Sequence, residues 1–543
     1  AITSSAAATV AYAEAHIGTL EAALTAAVDD CIERNAEDSL RYVADHLMGQ
    51  ACTKERSTLV LTGPVIGTVT DTTAVVLLEV DERATITCVL SDAKGSPQLR
   101  TTMTLAAQEP GAFALTGLTP DTKYHVAFEG LAAAQEEELR ARSVVIKTLP
   151  TTINRLRLAA VSCDFPSRLS WSAQASGWSP WKELAEKTAA GEIDVMLHLG
   201  DQVYTWENGA MPSALRVMDL GLSPLSNAPV QRKMSKAASK FLQESYRHCW
   251  NQPWCAKALA HSSHLMIWSD NDVTNDFTCD FKADGTQTYD PAYLRVAMRV
   301  YESYQKQLRT PGSQLSLDVG PPPANPALLK EWLWQVYGFV GVFLFDMRGN
   351  LIDDAGVVHK GNERLGEAQK EAFQAALATP GVRCLVVGAE IPFVGPTPEA
   401  ARKGVEGGLT FLCEHWPYNL HELTYVLDHL FAWKAAEAGR EVVLLAGDIH
   451  VGVDSLIKDS ETGLTIRHIT TSPITNSVSP FFNPLDGTIN ERYSYTHKVL
   501  DGLHNYCSLD FSLSDDGVSV EAKVELIGVA EPKEPPKEVD GMK

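Results

Sequence analysis

Polar side chains that could bind a metal ion or a phosphate follow one apolar run after another in this chain of 543 residues. These ends carry Cys163 and Asp164, Asp201 and Tyr204, Asp270 to Asn275, Asp346 and Arg348, Glu390, and Asp448 and His450. One such end is often only a turn, and a lone cysteine is more often a buried, inert side chain. The repetition of the pattern is difficult to explain by turns alone and indicates a functional site.

The carboxylates of this set predict that the site binds metal. Asp201, Asp270 and Asp448 would repel one another at one edge of a sheet unless a cation lay among them. Oxygen ligands with one imidazole suit Ca²⁺, Mn²⁺ or Mg²⁺, whereas a thiolate with a phenolate suits iron. A mixed set of this kind indicates two metals that share a bridging carboxylate. Two ions roughly 3.5–4 Å apart can hold a hydroxide that attacks phosphorus in line.

Strands and helices alternate through the part of the chain that carries these residues. The sequence predicts strands at 156–163, 193–201, 261–270, 338–346, 382–390 and 441–450, and helices at 180–191, 365–378 and 421–439. Apolar strands separated by amphipathic helices indicate a layered α/β domain with a largely buried sheet, here over residues 155–529. Ligands of such domains bind beyond the carboxyl ends of the strands, so we expect the polar strand ends to converge.

Two smaller units precede this domain, and a short tail follows it. Residues 57–149 contain short β-branched runs separated by turn residues, which predicts an antiparallel β-sandwich of the fibronectin III or immunoglobulin type. Its segment from Leu118 to Tyr124 resembles a fibronectin type III strand junction, in which a tyrosine bonds back to the main chain. The tail at 530–543 is too polar and proline-rich to fold.

Residues 1–56 predict a short helical hairpin, because apolar residues recur there at three- and four-residue spacing. Residues 33–48 resemble the docking-and-dimerisation hairpin of protein kinase A regulatory subunits. That resemblance implies a homodimer and an intracellular setting. The alternative is an amphipathic hairpin that packs on its own chain.

The composition excludes several kinds of partner. With 46 basic and 68 acidic residues the net charge is −22, which disfavours nucleic acids and anionic membranes. No apolar run reaches the roughly 20 residues of a membrane span, and the longest, at 336–345, predicts a strand. Ten cysteines without a CxxC pair predict buried, reduced thiols and an intracellular protein, with Cys249 and Cys255 as candidates for a local bridge. A secreted or organellar protein that has lost a leader also fits.

Several motifs of the α/β domain together resemble one known family. They are SC at 162–163, HLGDQVY at 198–204, IWSDNDVTND at 267–276, LFDMRG at 344–349, LGEAQ at 365–369, WPY at 416–418, LLAGDIH at 444–450 and TTSPIT at 470–475. Their order and spacing resemble PhoD-type alkaline phosphatases of the calcineurin-like metallophosphoesterase superfamily. The resemblance implies a layered metallophosphoesterase sandwich for the catalytic domain, and in this family a separate β-sandwich usually precedes it. The resemblance implies iron and calcium as cofactors, and hydrolysis of phosphate monoesters and often diesters. It places Cys163, Asp201 and Tyr204 around iron as thiolate, bridging carboxylate and phenolate.

The resemblance also implies the remaining roles. Asp270 occupies the position of a ligand of the second metal, and Asn275 matches the first of two amides. Asp448 and His450 match the last pair of ligands. Arg348 matches an arginine that could neutralise phosphate oxygens. An ion pair with Asp346 that braces the loop is the alternative for this arginine.

The chain departs from the family pattern where WDDHEV is replaced by WSDNDV. Ser269 replaces an aspartate, and Asn271 replaces a histidine that can donate a proton to the leaving oxygen. Loss of a general acid typically costs about 10²–10⁴-fold in rate, unless Asp272 or a metal-bound water substitutes. Glu390 stands where the family often has glutamine. The main hypothesis is therefore a metal-dependent phosphoesterase, and the alternative is a scaffold that has lost catalysis and binds partners through its N-terminal units.

Overall fold

The computed structural model describes residues 58–205, 228–279, 291–312, 331–352, 358–359, 361, 363–479 and 484–532. The predicted hairpin at 1–56 and nearly all of the predicted tail at 530–543 lie outside the described residues and stay predictions, as do the domain boundaries. Within the described ranges, no helix combines the length and the apolar character that a bilayer crossing requires.

Two antiparallel sheets form the first part of the described chain. Its elements are β1 (Val60–Val69), β2 (Thr73–Val80), β3 (Ala84–Ser91), β4 (Pro97–Leu105), β5 (Gly111–Thr116), β6 (Lys123–Glu129), α1 (Ala133–Ala141) and β7 (Val145–Lys147). One sheet has the order β1-β2-β5 and the other β4-β3-β6-β7. Both sheets contribute to one buried apolar cluster that contains Val76, Phe113 and Phe128. The backbone N–H of Thr119 donates to the Tyr124 hydroxyl over 2.9 Å, which is the main-chain contact expected of this tyrosine.

This part is joined to the rest of the protein by a buried ion pair. Glu79 of β2 is completely buried and accepts hydrogen bonds from the guanidinium of Arg247 and from the hydroxyl of Tyr304. Nearby, the backbone N–H of Val69 donates to the Ser263 hydroxyl over 3.1 Å. These contacts hold the two antiparallel sheets in a fixed position against the larger domain.

The larger domain begins with parallel strands and helices. Its first elements are β8 (Arg155–Val161), α2 (Trp171–Ser176), α3 (Trp181–Ala190), β9 (Val195–Leu199), α4 (Ala228–Trp250), α5 (Pro253–Leu259), β10 (Ser263–Ile267) and α6 (Pro291–Tyr304). Strands β8, β9 and β10 are mutually parallel, and every residue of β9 and β10 is buried. Burial on both faces explains why these strands are mostly apolar, and the buried rings of His198 and His264 contact each other, with Nε2 of the first 2.9 Å from Nδ1 of the second.

An eight-stranded sheet follows, and the last strands of the domain then join the sheet that contains β8, β9 and β10. The next elements are β11 (Leu333–Tyr337), β12 (Val340–Leu344), α7 (Gly366–Leu377), β13 (Cys384–Gly388), α8 (Pro398–Glu406), α9 (Leu420–Ala436), β14 (Glu441–Ala446), β15 (Gly452–Asp459), β16 (Thr465–Thr470), β17 (Gly487–Thr488), β18 (Tyr493–Leu500), β19 (His504–Leu513) and β20 (Val520–Val529). The two sheets have the orders β10-β9-β8-β19-β20 and β11-β12-β13-β14-β16-β15-β18-β17. Short 3-10 turns lie at Pro166–Arg168, Lys306–Leu308, Gly349–Leu351 and Thr410–Glu414.

The predicted alternation of strands and helices is confirmed, because each of the predicted elements between residues 156 and 450 has a counterpart. The domain contains two sheets, which share one core cluster that includes Leu158 and Leu197 of one sheet and Val342 and Leu445 of the other. One detail differs from the prediction. The apolar run at 336–345 is not one strand, since the chain reverses at Gly338, whose φ is +58°, and pairs β11 with β12 antiparallel.

The prediction of reduced thiols is wrong at one pair. Cys279 and Cys413, which are 134 residues apart, form a disulfide. Cys249 and Cys255, the candidates for a local bridge, are buried free thiols instead. Spacing along the chain could not reveal the pairing, because it depends on two loops that meet only in the folded domain.

Candidate metal centre

The polar strand ends of both sheets meet at one place. Cys163, Asp201 and Asp270 follow β8, β9 and β10 of the five-stranded sheet, and Arg348, Glu390 and Asp448 follow β12, β13 and β14 of the eight-stranded sheet. The loops contact one another closely, since a Cβ added at Gly200 would lie 2.5 Å from the Cβ of Ser269. Only glycine permits this approach of the β9 loop to the β10 loop.

Two groups of side chains could each hold a cation, and they share one carboxylate. The first group is Cys163, Asp201 and His450, and the second is Asp201, Asp270 and Asp448; in each group the ligand atoms lie within 4.8 Å of one another. We call them the sulfur subsite and the carboxylate subsite. A thiolate with an imidazole suits a transition metal, whereas three carboxylates suit a hard divalent cation. Asp201 is the residue that both groups contain.

The backbone at these residues is held in an unusual conformation. The φ angles are +57° at Cys163, +53° at Asp201, +71° at Asp448 and +57° at His450. A non-glycine residue in this region costs on the order of 1–3 kcal/mol and persists only where surrounding contacts enforce it. Such residues concentrate at functional sites, so the clustering of four of them supports a site.

The electrostatics of the cluster fit a bound cation. Burial raises the pKa of Asp201 and of Asp448 well above the ordinary value, and the neighbouring carboxylates raise each further. Burial also raises the pKa of the Cys163 thiol, and the charges of Asp201 and Asp448 add to this effect. A cation among these groups would offset the effects of burial and of the neighbouring negative charges on these pKa values, and it would favour the ionised forms that bind metal. The donor set therefore fits two metal ions.

Tyr204 contacts two members of the sulfur subsite, Asp201 and His450. Its hydroxyl donates to Oδ2 of Asp201 over 2.8 Å and lies 2.9 Å from Nε2 of His450. The ring stacks on Phe165, with the ring centroids 5.1 Å apart, and this contact fixes its direction. Burial raises the pKa of Tyr204 well above the ordinary value, and the charge of Asp201 raises it further. A phenolate ligand would thus form here only together with a bound cation.

Asn271 contacts both subsites. Its Nδ2 donates to Oδ2 of Asp201 and to Oδ1 of Asp270, each over 3.3 Å. Its backbone N–H donates to the other oxygen of Asp201 over 3.2 Å. The side-chain Oδ1 is buried without a hydrogen-bond partner. This amide therefore lies beside the shared carboxylate.

The carboxylate of Asp272 is occupied by donors from the surrounding loops. It accepts the backbone N–H groups of Ser269, Asp201 and Gln202 over 2.8, 3.0 and 3.2 Å, and the side-chain amide of Gln305 over 2.9 Å. Burial raises its pKa to about 7. These bonds tie the loop after β9 to the loop after β10, which favours a bracing role over the donation of a proton to substrate.

Asn275 follows Asp270 in the loop after β10, and its side chain is exposed. The next residue reaches the cluster through its backbone, since the N–H of Asp276 donates to Oδ2 of Asp270 over 2.8 Å. A ligand role for Asn275 stays a prediction.

Arg348 is completely buried and pairs with acidic groups of three loops. Its guanidinium donates to the carboxylate of Glu414 and to the Phe277 carbonyl, and it lies 3.6 Å from both Asp270 and Glu390. Burial alone would lower the pKa of Arg348, but these carboxylates raise it above the ordinary value. Arg348 forms its ion pair with Glu414 in place of the predicted pair with Asp346. The group of Arg348 that donates to Asp346 is the backbone N–H, over 3.0 Å, and not the guanidinium.

Three residues that contact the cluster were not predicted from the sequence. Glu414 pairs with Arg348. Ser472 donates to Sγ of Cys163 over 3.1 Å, and Nδ2 of Asn476 lies 3.3 Å from Nε2 of His450. The TTSPIT motif pointed to the segment that contains Ser472, but the spacing of its residues could not show which hydroxyl faces the thiol.

Comparisons with known proteins agree with this geometry. The sequence profile of the PhoD-like phosphatase family matches residues 158–497. No curated protein sequence matches significantly. A solved structure titled "Structure of PhoD" is similar over 84% of this chain and 91% of its own, with 13% identity and a TM-score of 0.54, which shows the fold alone. β-Glucuronidases from Ruminococcus gnavus and Lactobacillus rhamnosus are also found, at 12% and 9% identity over 70% and 72% of this chain and 53% of each of theirs. Their TM-scores of 0.22 and 0.23 are too low to support any argument.

Proposed function

Because the chain belongs to the PhoD-like phosphatase family, we propose that it hydrolyses phosphate esters with the help of cations held in the sulfur and carboxylate subsites. The observation that carries the proposal is the sharing of Asp201 between two groups of ligand atoms. Bound cations would supply the Lewis acidity that makes water nucleophilic near neutral pH and that neutralises phosphate oxygens. They would also allow a protein with a net charge of −22 to accept an anionic substrate.

We propose iron for the sulfur subsite and calcium, or another divalent ion such as Mn²⁺ or Mg²⁺, for the carboxylate subsite. A thiolate, an imidazole and the nearby Tyr204 phenol are softer or more covalent ligands than carboxylates, and they suit iron. Asp270 and Asp448 supply oxygen atoms only, which suits a hard cation. Asp201 would contact both ions.

The residues around the cations determine which esters are favoured. Asn271 could donate to a phosphate oxygen only by giving up one of its Nδ2 hydrogen bonds to Asp201 and Asp270, and an amide releases no proton at physiological pH. Asp272 is not a good substitute, because its oxygens accept hydrogen bonds from four donors. The leaving group must then take its proton from solvent, so esters with good leaving groups, among monoesters and diesters alike, should be the better substrates.

Arg348 is proposed to position Asp270 and not to bind the substrate itself. Its side chain has no exposed surface, and Glu414 and the Phe277 carbonyl already accept its hydrogen bonds. Its charge offsets part of the repulsion among the buried carboxylates near Asp270. Replacement by methionine removes the group that positions Asp270, so it should change metal binding at the carboxylate subsite more than it changes binding of phosphate.

The central test removes the cations from the purified protein. After dialysis against a chelator, hydrolysis of an aryl phosphate should fall to background, and it should return when iron and calcium are restored. Asp201→Asn should abolish turnover and the binding of both metals. Asp454→Asn is the matched control, because Asp454 pairs with Arg467 on β16, apart from both subsites, and should leave metal content and turnover unchanged. Undiminished turnover of chelated protein would refute the proposal. Full metal content without turnover on a broad ester panel would favour the scaffold.

The N-terminal units are proposed to serve assembly and structure. The two antiparallel sheets that share a core, together with the Tyr124 main-chain contact, support a fibronectin III-like sandwich. A homodimer through residues 1–56 is the corresponding proposal for the hairpin. Light scattering of the full chain over a range of concentrations tests it, and a monomer at all concentrations would contradict it.

A further inference from the structure

We propose that Ser472 is a positioning residue that tunes Cys163 as a metal ligand and fixes its distance from His450. The inference rests on the proposed function, in which Cys163 binds the metal of the sulfur subsite. The proposed role of Ser472 is to control the electron density on that sulfur.

The Ser472 hydroxyl lies between two candidate ligands. It donates a hydrogen bond to Sγ of Cys163 over 3.1 Å. The same oxygen accepts the backbone N–H of His450 over 3.0 Å. One hydroxyl group therefore links the loop after β8, in the five-stranded sheet, to the loop after β14, in the eight-stranded sheet.

The backbone around Ser472 leaves this hydroxyl little freedom to move. Ser472 is completely buried. Its N–H donates to Oδ1 of Asn505 over 2.9 Å, and its carbonyl accepts Nδ2 of the same side chain over 2.6 Å. The N–H of Thr471 donates to the Ala446 carbonyl over 2.8 Å. Asn505 belongs to β19, so the hydroxyl is held from both sheets at once.

A second hydroxyl near the sulfur has a different partner. Ser162 lies 3.4 Å from Sγ of Cys163, but its oxygen is 2.7 Å from the Thr471 carbonyl. A serine has only one hydroxyl proton, and the shorter contact to the carbonyl takes it. Ser162 is thus a natural control, because it is buried beside the same sulfur without donating to it.

A hydrogen bond to a coordinated thiolate withdraws electron density from the sulfur. Hydrogen bonding around a ligating cysteine tunes the reduction potential of a metal, and partners of ligands typically affect metal affinity by about 10–100-fold. Loss of the Ser472 bond should therefore make the sulfur a stronger electron donor. It should also free His450 to move, which weakens binding.

Cobalt is the probe for the test, because a thiolate bound to Co²⁺ gives a charge-transfer band that reports on the sulfur. Full-length protein is freed of metal and titrated with Co²⁺. The wild type should show the band, and Cys163→Ala should lose it. Ser472→Ala should move the band to longer wavelength and weaken Co²⁺ binding about 10-fold, whereas Ser162→Ala should leave the wavelength unchanged.

Two isosteric variants keep the test decisive if the alanine variant does not fold. Ser472→Thr retains a hydroxyl and Ser472→Val does not, while both add the same bulk. The threonine variant should keep the wild-type wavelength, and the valine variant should be shifted. Equal wavelengths in this pair, with the band still lost in Cys163→Ala, would overturn the role of Ser472 and leave the proposed function intact. Absence of a thiolate band in the wild type would overturn the ligand role of Cys163 and, with it, this inference.

Discussion

Replacing Asn271 with histidine should increase the hydrolysis of alkyl phosphates far more than that of aryl phosphates. Asn271 lies 3.3 Å from an oxygen of Asp201 and 3.3 Å from an oxygen of Asp270, so its side chain is beside the shared carboxylate of the two subsites. An amide there has no proton to release to a leaving oxygen. An imidazole has one, and it titrates close to neutral pH.

The expected magnitude depends on the leaving group. A positioned general acid contributes about 10²–10⁴-fold when the leaving oxygen needs a proton. That range corresponds to about 3–5 kcal/mol of the barrier. An alkoxide leaves poorly without a proton, so alkyl esters should gain the most. A nitrophenolate is stable as an anion, so its ester should gain little from the same substitution.

The assay measures kcat/KM for a series of phosphate monoesters with leaving groups of increasing pKa. A plot of log kcat/KM against that pKa should be shallower for Asn271→His than for the wild type. The comparison within one preparation cancels any loss of metal or of folded protein. Asn154→His introduces the same ring at an exposed amide directly before β8, at the end of the strand opposite Cys163, and should leave the slope unchanged. Parallel plots for Asn271→His and the wild type, at equal metal content, would refute the placement of Asn271 at the leaving group.

Two further predictions concern stability, and both are read from urea unfolding curves. Glu79→Gln should lower the free energy of unfolding by about 3 kcal/mol, because it removes the buried partner of Arg247 and leaves only the half-exposed Glu244 to pair with it. Glu129→Gln, in an exposed pair, should cost about 0–1 kcal/mol. Similar losses in the two variants would contradict the buried link between the N-terminal sheets and the larger domain. Burial lowers the pKa of His468 to about 3. Its folded pKa is below the unfolded value of about 6.5, so its contribution to stability is present above pH 6.5 and is lost as the pH falls towards 3. Between pH 6.5 and 5 the free energy of unfolding of the wild type should fall by about 2 kcal/mol through this residue. His468→Leu should not show this fall, whereas the exposed His421→Gln should still show it.

The strand ends of the α/β domain were predictable because burial leaves a clear record in the sequence. Parallel strands covered on both faces are apolar throughout, so a polar residue directly after such a run marks the carboxyl edge. Asp201 and Asp448 were identified in this way, and the structure brings both into the carboxylate subsite. The same rule located Cys163, and the geometry of the structure adds that its φ is positive.

Side chains that act through loop geometry were not predictable in the same way. The direction of Asn275 depends on how the loop after β10 turns, and its side chain is exposed. Asp272 resembles a free carboxylate in the sequence, but three backbone N–H groups converge on it only after two loops have met. Glu414 lies 66 residues from Arg348 along the chain, and no local pattern joins them.

The cost of the metal-free site bears on the choice between enzyme and scaffold. Four candidate ligands hold left-handed backbone conformations at on the order of 1–3 kcal/mol each. Buried carboxylates beside them repel one another, and a cation relieves that repulsion. A chain that retains this arrangement is therefore stabilised by metal whether or not it turns over substrate. Metal binding alone does not distinguish the two functions, whereas turnover over a series of leaving groups does, because it depends on the proton that Asn271, unlike a histidine, does not supply.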